Sequence, residues 1–284
     1  MISTPAACVS VTKDFHVRLS AVNLCLVVLV NPRQRLELGT WLCGMTDPAF
    51  RNELHAAMDL NDDGSWTTAL TAFDRLVQAY PDEMQPRFER AMVLLNLDRA
   101  GEAIADLEHV LGRAPDYPGA QDWYAIALSD HGKPMLAAES KLGALRARAP
   151  EDGSANGQAW ADCASYFLEA GAPERALAAL DEYFARYEGK QKGYEVYAPA
   201  PYRLRAKVLL TLSRPKEALA AAEQACADPH SVPADKFVRL CARAAVGEKD
   251  RALAELELLR PQFAGTRPFA EAIAELKRLG VAVS

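Results

Sequence analysis

A motif that returns every 34 or 35 residues constrains this chain more than any other feature. Ala69-x3-Phe73 is followed by Pro81 at the twelfth step, Ala103-x3-Leu107 by Pro115, and Ala138-x3-Leu142 by Pro150. Further copies extend the small-residue series to Ala69, Ala103, Ala138, Ala176, Ala218 and Ala252, with steps of 34, 35, 38, 42 and 34. One short helix pair cannot bury its own apolar face, so a repeat of this length forces pairs to stack into a solenoid. The fold class expected is all-α, built from antiparallel helix pairs.

Each unit carries the signals of two helices. In the first, Ala57 and Leu60 mark helix A, Asn61-Asp62-Asp63-Gly64 breaks it, and helix B runs from about Trp66 to Tyr80 before Pro81. The second places Ala91 and Leu94 on helix A, turns at Asp98-Arg99-Ala100, and continues through Ala103, Leu107 and Val110. The third has Trp123, Ala125 and Leu128, a break at His131-Gly132-Lys133-Pro134, then Ala138, Leu142 and Leu145. These spacings hold one apolar stripe per helix. Pro173-Glu174 opens helix B of the fourth unit after Gly171, and Pro215-Lys216-Glu217 does so in the fifth, because proline at a first helical turn gives up no bond it needs. Tyr202, Ala206 and Leu209 mark helix A of that fifth unit. The sixth turns at Gly247 and is expected to end at Pro261. A last helix with Phe269, Ile273 and Leu276 on one stripe, stopped by Gly280, supplies the cap over residues 266–280 that a solenoid requires.

On these residues the chain resembles the tetratricopeptide repeat family, over about six units spanning residues 50–261. The family pattern is Trp-x2-Leu-Gly-x2-Tyr on helix A and Ala-x3-Phe…Pro on helix B. The fourth unit shows the first half best, as Trp160-x2-Cys163-Ala164-x2-Phe167, and Ala176-x3-Leu180 follows. The resemblance implies a right-handed α-solenoid with the A helices lining a concave face. It also implies a non-catalytic scaffold that binds a protein or peptide partner. Peptide-clamp members hold a terminal carboxylate with Lys and Asn at set positions on the A helices. Here Leu54, Met58, Phe88 and Met92 stand there, which argues against a receptor of that kind.

Counting in register along the A helices gives the residues expected to face a partner: Leu54 and Met58, Phe88 and Met92, Trp123, Ser165, and Arg203 and Lys207. The first half reads as an apolar trough rich in methionine and aromatic residues, and the fifth unit as basic. That arrangement suits an amphipathic helix or an extended segment with an acidic end. The opposing account is that these side chains pack within the superhelix. The widest step in the series falls where Tyr187, Tyr194, Tyr197 and Tyr202 cluster among Gly189, Gly193, Pro199 and Pro201. Tyr194 and Tyr197 are added to the partner-binding candidates, since tyrosine is favoured at interfaces and loops carry function. The alternative is that the tyrosines plug a gap between units four and five.

The rest of the sequence mainly excludes. A net charge of -6 lacks the basic footprint of a nucleic-acid binder. Six cysteines without a CxxC pair read as small buried hydrophobes in a reducing compartment. The five histidines are scattered, and there is no phosphate loop or Gly-x-Ser-x-Gly elbow, so no catalytic residue, metal or cofactor is expected. Asp59-x-Asn61-x-Asp63-Gly64-Ser65-x-Thr67 imitates an EF-hand calcium loop, but Leu70 stands where the bidentate glutamate is required. Residues 1–44 form a distinct N-terminal extension preceding a solenoid domain at 45–284, and Met45-Thr46-Asp47-Pro48 reads as a natural start. The apolar run Ala21–Val30 is too short for a membrane span, which takes about 20 residues. It also lacks a small-residue cleavage site before Asn31-Pro32-Arg33. The cytoplasm is therefore favoured over export or membrane association through residues 13–31. A structural subunit of a larger or homo-oligomeric assembly is the second functional expectation.

Overall fold

The computed structural model describes residues 47–147, 157–187, 199–228 and 231–283. The N-terminal extension, Tyr194 and Tyr197 lie outside these residues. Thirteen α-helices and no strands occur among the described residues: α1 (Pro48–Asp62), α2 (Trp66–Ala79), α3 (Met84–Asn96), α4 (Ala100–Arg113), α5 (Ala120–Asp130), α6 (Pro134–Ala147), α7 (Gly157–Glu169), α8 (Pro173–Tyr187), α9 (Pro199–Thr211), α10 (Pro215–Ala227), α11 (Pro233–Ala245), α12 (Lys249–Phe263) and α13 (Arg267–Arg278). Each helix from α1 to α12 packs on its neighbour in sequence, and α7, α9, α11 and α13 also pack directly side by side, so that α13 docks on α11. The result is a helical solenoid of six pairs closed by α13, as the repeat requires.

The turn between the two helices of every pair has one geometry. Gly64, Asp98, Gly132, Gly171, Ser213 and Gly247 all take positive φ, from 57° to 96°. In each case the next amide reaches back to the last turn of the preceding helix. Ser65 N–H donates to the Leu60 carbonyl at 2.9 Å, Arg99 to Leu94 at 2.8 Å, and Arg214 to Leu209 at 2.8 Å. Lys133, Ala172 and Glu248 do the same to Leu128, Phe167 and Arg243. This is the Schellman close, which satisfies carbonyls that the helix end would otherwise orphan. The aspartate-rich stretch before Gly64 therefore serves as a helix stop, as its place in the repeat register implies.

Small residues set the spacing of the helices. Ala69, Ala103, Ala138, Ala176, Ala218 and Ala252 are all fully buried. Four apolar clusters overlap along the solenoid, over α1–α3, α3–α9, α9–α11 and α11–α13. At the irregular unit junction, Tyr187 is buried beside Trp160 and Tyr183, with ring centroids 6.4 and 5.4 Å away, and Tyr202 stacks on Phe184 at 4.6 Å. These two of the four tyrosines fill the gap between α7, α8 and α9. Gly157 admits the close approach there: a Cβ on it would lie 2.7 Å from Pro201 Cγ and 2.9 Å from Tyr183 Oη.

One expected boundary differs. Pro261 does not end the sixth helix B but lies inside α12, which continues to Phe263. Proline removes one bond to the carbonyl four residues back. Pro261 is exposed and sits in the final turn, so water can serve that carbonyl while Ala264 N–H still closes on Arg260 O at 3.0 Å.

Candidate functional site

The position three residues beyond the small residue of helix B is alanine in half of the units and charged in the other half. It holds Ala72, Ala179 and Ala221 in three units and Asp106, Lys141 and Glu255 in the others. Each charged member is bound by the A helices beside it. Asp106, 3% exposed, takes both oxygens' bonds from Arg90 Nε and Nη2 at 2.7 Å each, while Arg90 Nη1 reaches Asp74 at 2.9 Å. Lys141, also 3% exposed, donates to Asp122 at 2.9 Å on α5 and to Asp162 at 3.5 Å on α7. Burial would pull the Lys141 ammonium down, but these two carboxylates hold its pKa above the ordinary lysine value. Burial conversely pushes the Asp162 carboxyl up against the opposing pull of Lys141. Glu255 is gripped by Arg239 and by Arg243 Nη1, the latter at 2.7 Å. A buried charge must be matched across the helix interface, so these groups tie neighbouring helices in one register. Their bonds are committed internally, and they offer no free chemistry.

The face formed by the A helices holds a different feature. A groove of about 750 Å³ opens between α9, α11 and α13. Its floor is the α11 face made of Ala234, Phe237, Val238, Cys241 and Ala245, a spacing that keeps them on one side of the helix. The α9 wall carries Lys207, Leu210 and Thr211, and the α13 wall carries Glu271, Ala272, Glu275 and Arg278. Burial pushes the Cys241 thiol up to about 12, so it is an apolar floor residue and not a nucleophile. The volume falls within the few hundred to a thousand Å³ typical of ligand clefts.

Of the N-terminal residues expected to line an apolar trough, two lie in the core. Leu54 is fully buried among Phe50, Phe73 and Leu76, and Phe88 is 4% exposed against the ring of Tyr117 at 5.2 Å. Met58, Met92 and Trp123 are half-buried, packed onto the same cores. The physical reason is volume. Large side chains at these register positions fill the space between their own helices, so the core account prevails for Leu54 and Phe88. Ser165 is half-buried on α7. Arg203 is turned away into an ion pair with the fully buried Asp235, at 2.7 Å. Among the described residues, Lys207 alone of those expected lines the groove, where it is exposed.

Phe237 and Cys241, which the sequence reading missed, occupy the same register positions in the sixth unit as Arg203 and Lys207 in the fifth. Both lie 15 and 11 residues before their small residue, Ala252 and Ala218 respectively. Carrying the count one unit further finds them. The α13 wall has no such signal, because the capping helix lies outside the repeat. Among the described residues, no three metal-ligating side chains converge, and no helix is long and apolar enough to cross a membrane.

No protein-family model matches the chain, and no curated protein matches it in sequence. Solved structures do. PilW, a widely conserved type IV pilus biogenesis factor, superposes with a TM-score of 0.60 at 14% identity, covering 80% of this chain and 100% of that one. A tetratricopeptide repeat protein from Parabacteroides merdae gives 0.55 at 15%, covering 82% and 87%. Pseudomonas aeruginosa PilF gives 0.55 at 13%, covering 81% and 98%. Paired helices, a recurring small residue and a shared turn geometry agree with these likenesses: the chain has the fold of the tetratricopeptide repeat solenoids.

Proposed function

We propose that this protein is a non-catalytic interaction scaffold that holds a segment of a protein partner in the groove between α9, α11 and α13. The observation that carries this reading is the groove itself: about 750 Å³ of space over an apolar floor, on a rigid face of packed helices. Apolar clefts with a few polar groups at the rim are where solenoids and bundles accept ligands. The buried charges Asp106 and Lys141 are internally paired and offer no comparable surface. The fold likeness supports the scaffold class, because the neighbouring structures include a pilus biogenesis factor and a subunit of a hetero-tetramer, Cut9–Hcn1.

A photo-crosslinking residue placed at Thr211, on the groove wall, tests the assignment against one at Leu258, which is 79% exposed on α12. The groove position is expected to capture a partner in the native cell and the α12 position to capture none. Capture from Leu258 alone would place binding elsewhere. Crosslinks joining two copies of this chain would assign it to a homo-oligomeric assembly instead.

A further inference from the structure

The large residue that follows the small one on helix B is present in five of the six units and missing in one. Phe73, Leu107, Leu142, Leu180 and Leu256 each stand four residues after their alanine, but four residues after Ala218 stands Ala222. The buried face of α10 is accordingly alanine throughout, as Ala218, Ala221, Ala222 and Ala225. Every other B helix buries at least one leucine. A methyl group removes far less apolar surface from water than a leucine or phenylalanine side chain, so α10 gains less from docking.

Nor is α10 tied across to its neighbours by charge. Asp74 on α2 and Asp106 on α4 bind Arg90, and Lys141 on α6 binds Asp122. Glu182 on α8 binds Arg146, and Glu255 on α12 binds Arg243. The ion pair of α10 is Glu217 with Arg214, at its own N-terminus, and among the described residues no side-chain hydrogen bond or ion pair joins α10 to another helix. Its entry turn is also one of the two that place a side-chain-bearing residue, Ser213, at positive φ. The solenoid does not need α10 for continuity. Helix α9 packs directly on α11, and Arg203 reaches the fully buried Asp235 at 2.7 Å.

We propose that α10 is the opening element of the solenoid: it comes away from α9 and α11 while the other helices stay packed, and uncovers the apolar face that includes Ala206, Leu209 and Ala242. In a linear repeat each unit contacts only its neighbours, so stability varies from unit to unit and the weakest opens first. A helix of 13 residues is marginal on its own in water, so α10 loses its protection once its contacts are gone. The direct α9–α11 packing keeps the rest of the stack in register during the opening.

Hydrogen exchange of the full chain in native buffer, resolved by peptide mass spectrometry, tests this. Amides of α10 are expected to exchange at least about tenfold faster than those of α8 and α12, the ratio set by one missing large side chain. A thiol probe reads the same opening at the packed face itself. Ala222→Cys on α10, Ala176→Cys on α8 and Ala252→Cys on α12 each replace a fully buried alanine. The α10 probe should react with iodoacetamide at least about tenfold faster than the other two. Should a cysteine variant fail to fold, exchange of the unmodified chain decides. If either measurement finds α10 as protected as α8, the proposal is overturned. It is overturned equally if α12 opens as readily as α10, because the solenoid then frays from its C-terminal end.

Discussion

Ser213 offers a sharp test of the turn geometry, because it is a side-chain-bearing residue where the fold uses glycine in four of six units. Its φ is 57°, against 72° for Gly171 at the equivalent turn. An L-residue in the left-handed region carries a conformational cost of about 1–2 kcal/mol, from Cβ crowding the following carbonyl. Glycine removes that cost but loses about 0.5–1 kcal/mol more backbone entropy on folding. Ser213 is exposed, so little packing is forfeited. Ser213→Gly should therefore stabilise the chain by about 0.5–1 kcal/mol, which at this size raises Tm by roughly 1–4 °C. Thermal unfolding followed by circular dichroism measures it. Slower hydrogen exchange of the Arg214 amide, which closes on Leu209 O at 2.8 Å, localises the effect. The reverse change, Gly171→Ser, should cost a similar amount. A Cβ there meets nothing within 4 Å, so the backbone term acts alone. A lowered Tm for Ser213→Gly, or an unchanged one for Gly171→Ser, would refute the argument that the turn sets a left-handed requirement.

Three other outcomes follow from the packing and the charges. Gly157→Ala drives a methyl into Pro201 and Tyr183 at under 3 Å, and denaturant unfolding should show a loss of about 1–3 kcal/mol. Lys141→Ala leaves Asp122 and the buried Asp162 without their cation, and should cost about 3 kcal/mol. Adding Asp162→Asn to that variant should restore part of the loss, and a strictly additive double variant would show that the pair is not coupled. Glu182 is held below the usual carboxylate range, first by its bonds from Arg146 and then by the charge of Arg146 and Arg186. A lowered folded pKa contributes stability above the unfolded value that disappears as pH falls through the folded one. Glu182→Gln should therefore lower stability by about 0.5–1 kcal/mol at pH 7, and by progressively less as the pH drops into the acid range.

The sequence by itself determined the stack. The series from Ala69 to Ala252 fixes where helices must approach, since only a small side chain lets two backbones close, and Gly64, Gly132, Gly171 and Gly247 fix where four of the six pairs must turn. Both demands are local and steric, so they are written one residue at a time. The cap was legible for the same reason, as a single amphipathic stripe through Phe269, Ile273 and Leu276. Pro261 misled because its consequence depends on exposure, and a helix end open to water tolerates a missing donor.

What the sequence could not decide is which face retains empty space. Leu54 and Phe88 stand at positions that would line a trough if they pointed into one, yet both are buried between their own helices. Phe237 and Cys241, at the equivalent positions in the sixth unit, are buried as well, but there the α13 cap stands across from α9 and leaves a groove above them. Whether an apolar residue is core or lining depends on the sum of side-chain volumes between three helices distant in sequence. That sum exists only once they are packed. For the same reason Lys207 and Glu275, 68 positions apart by their numbers, came to line one groove only in the tertiary structure.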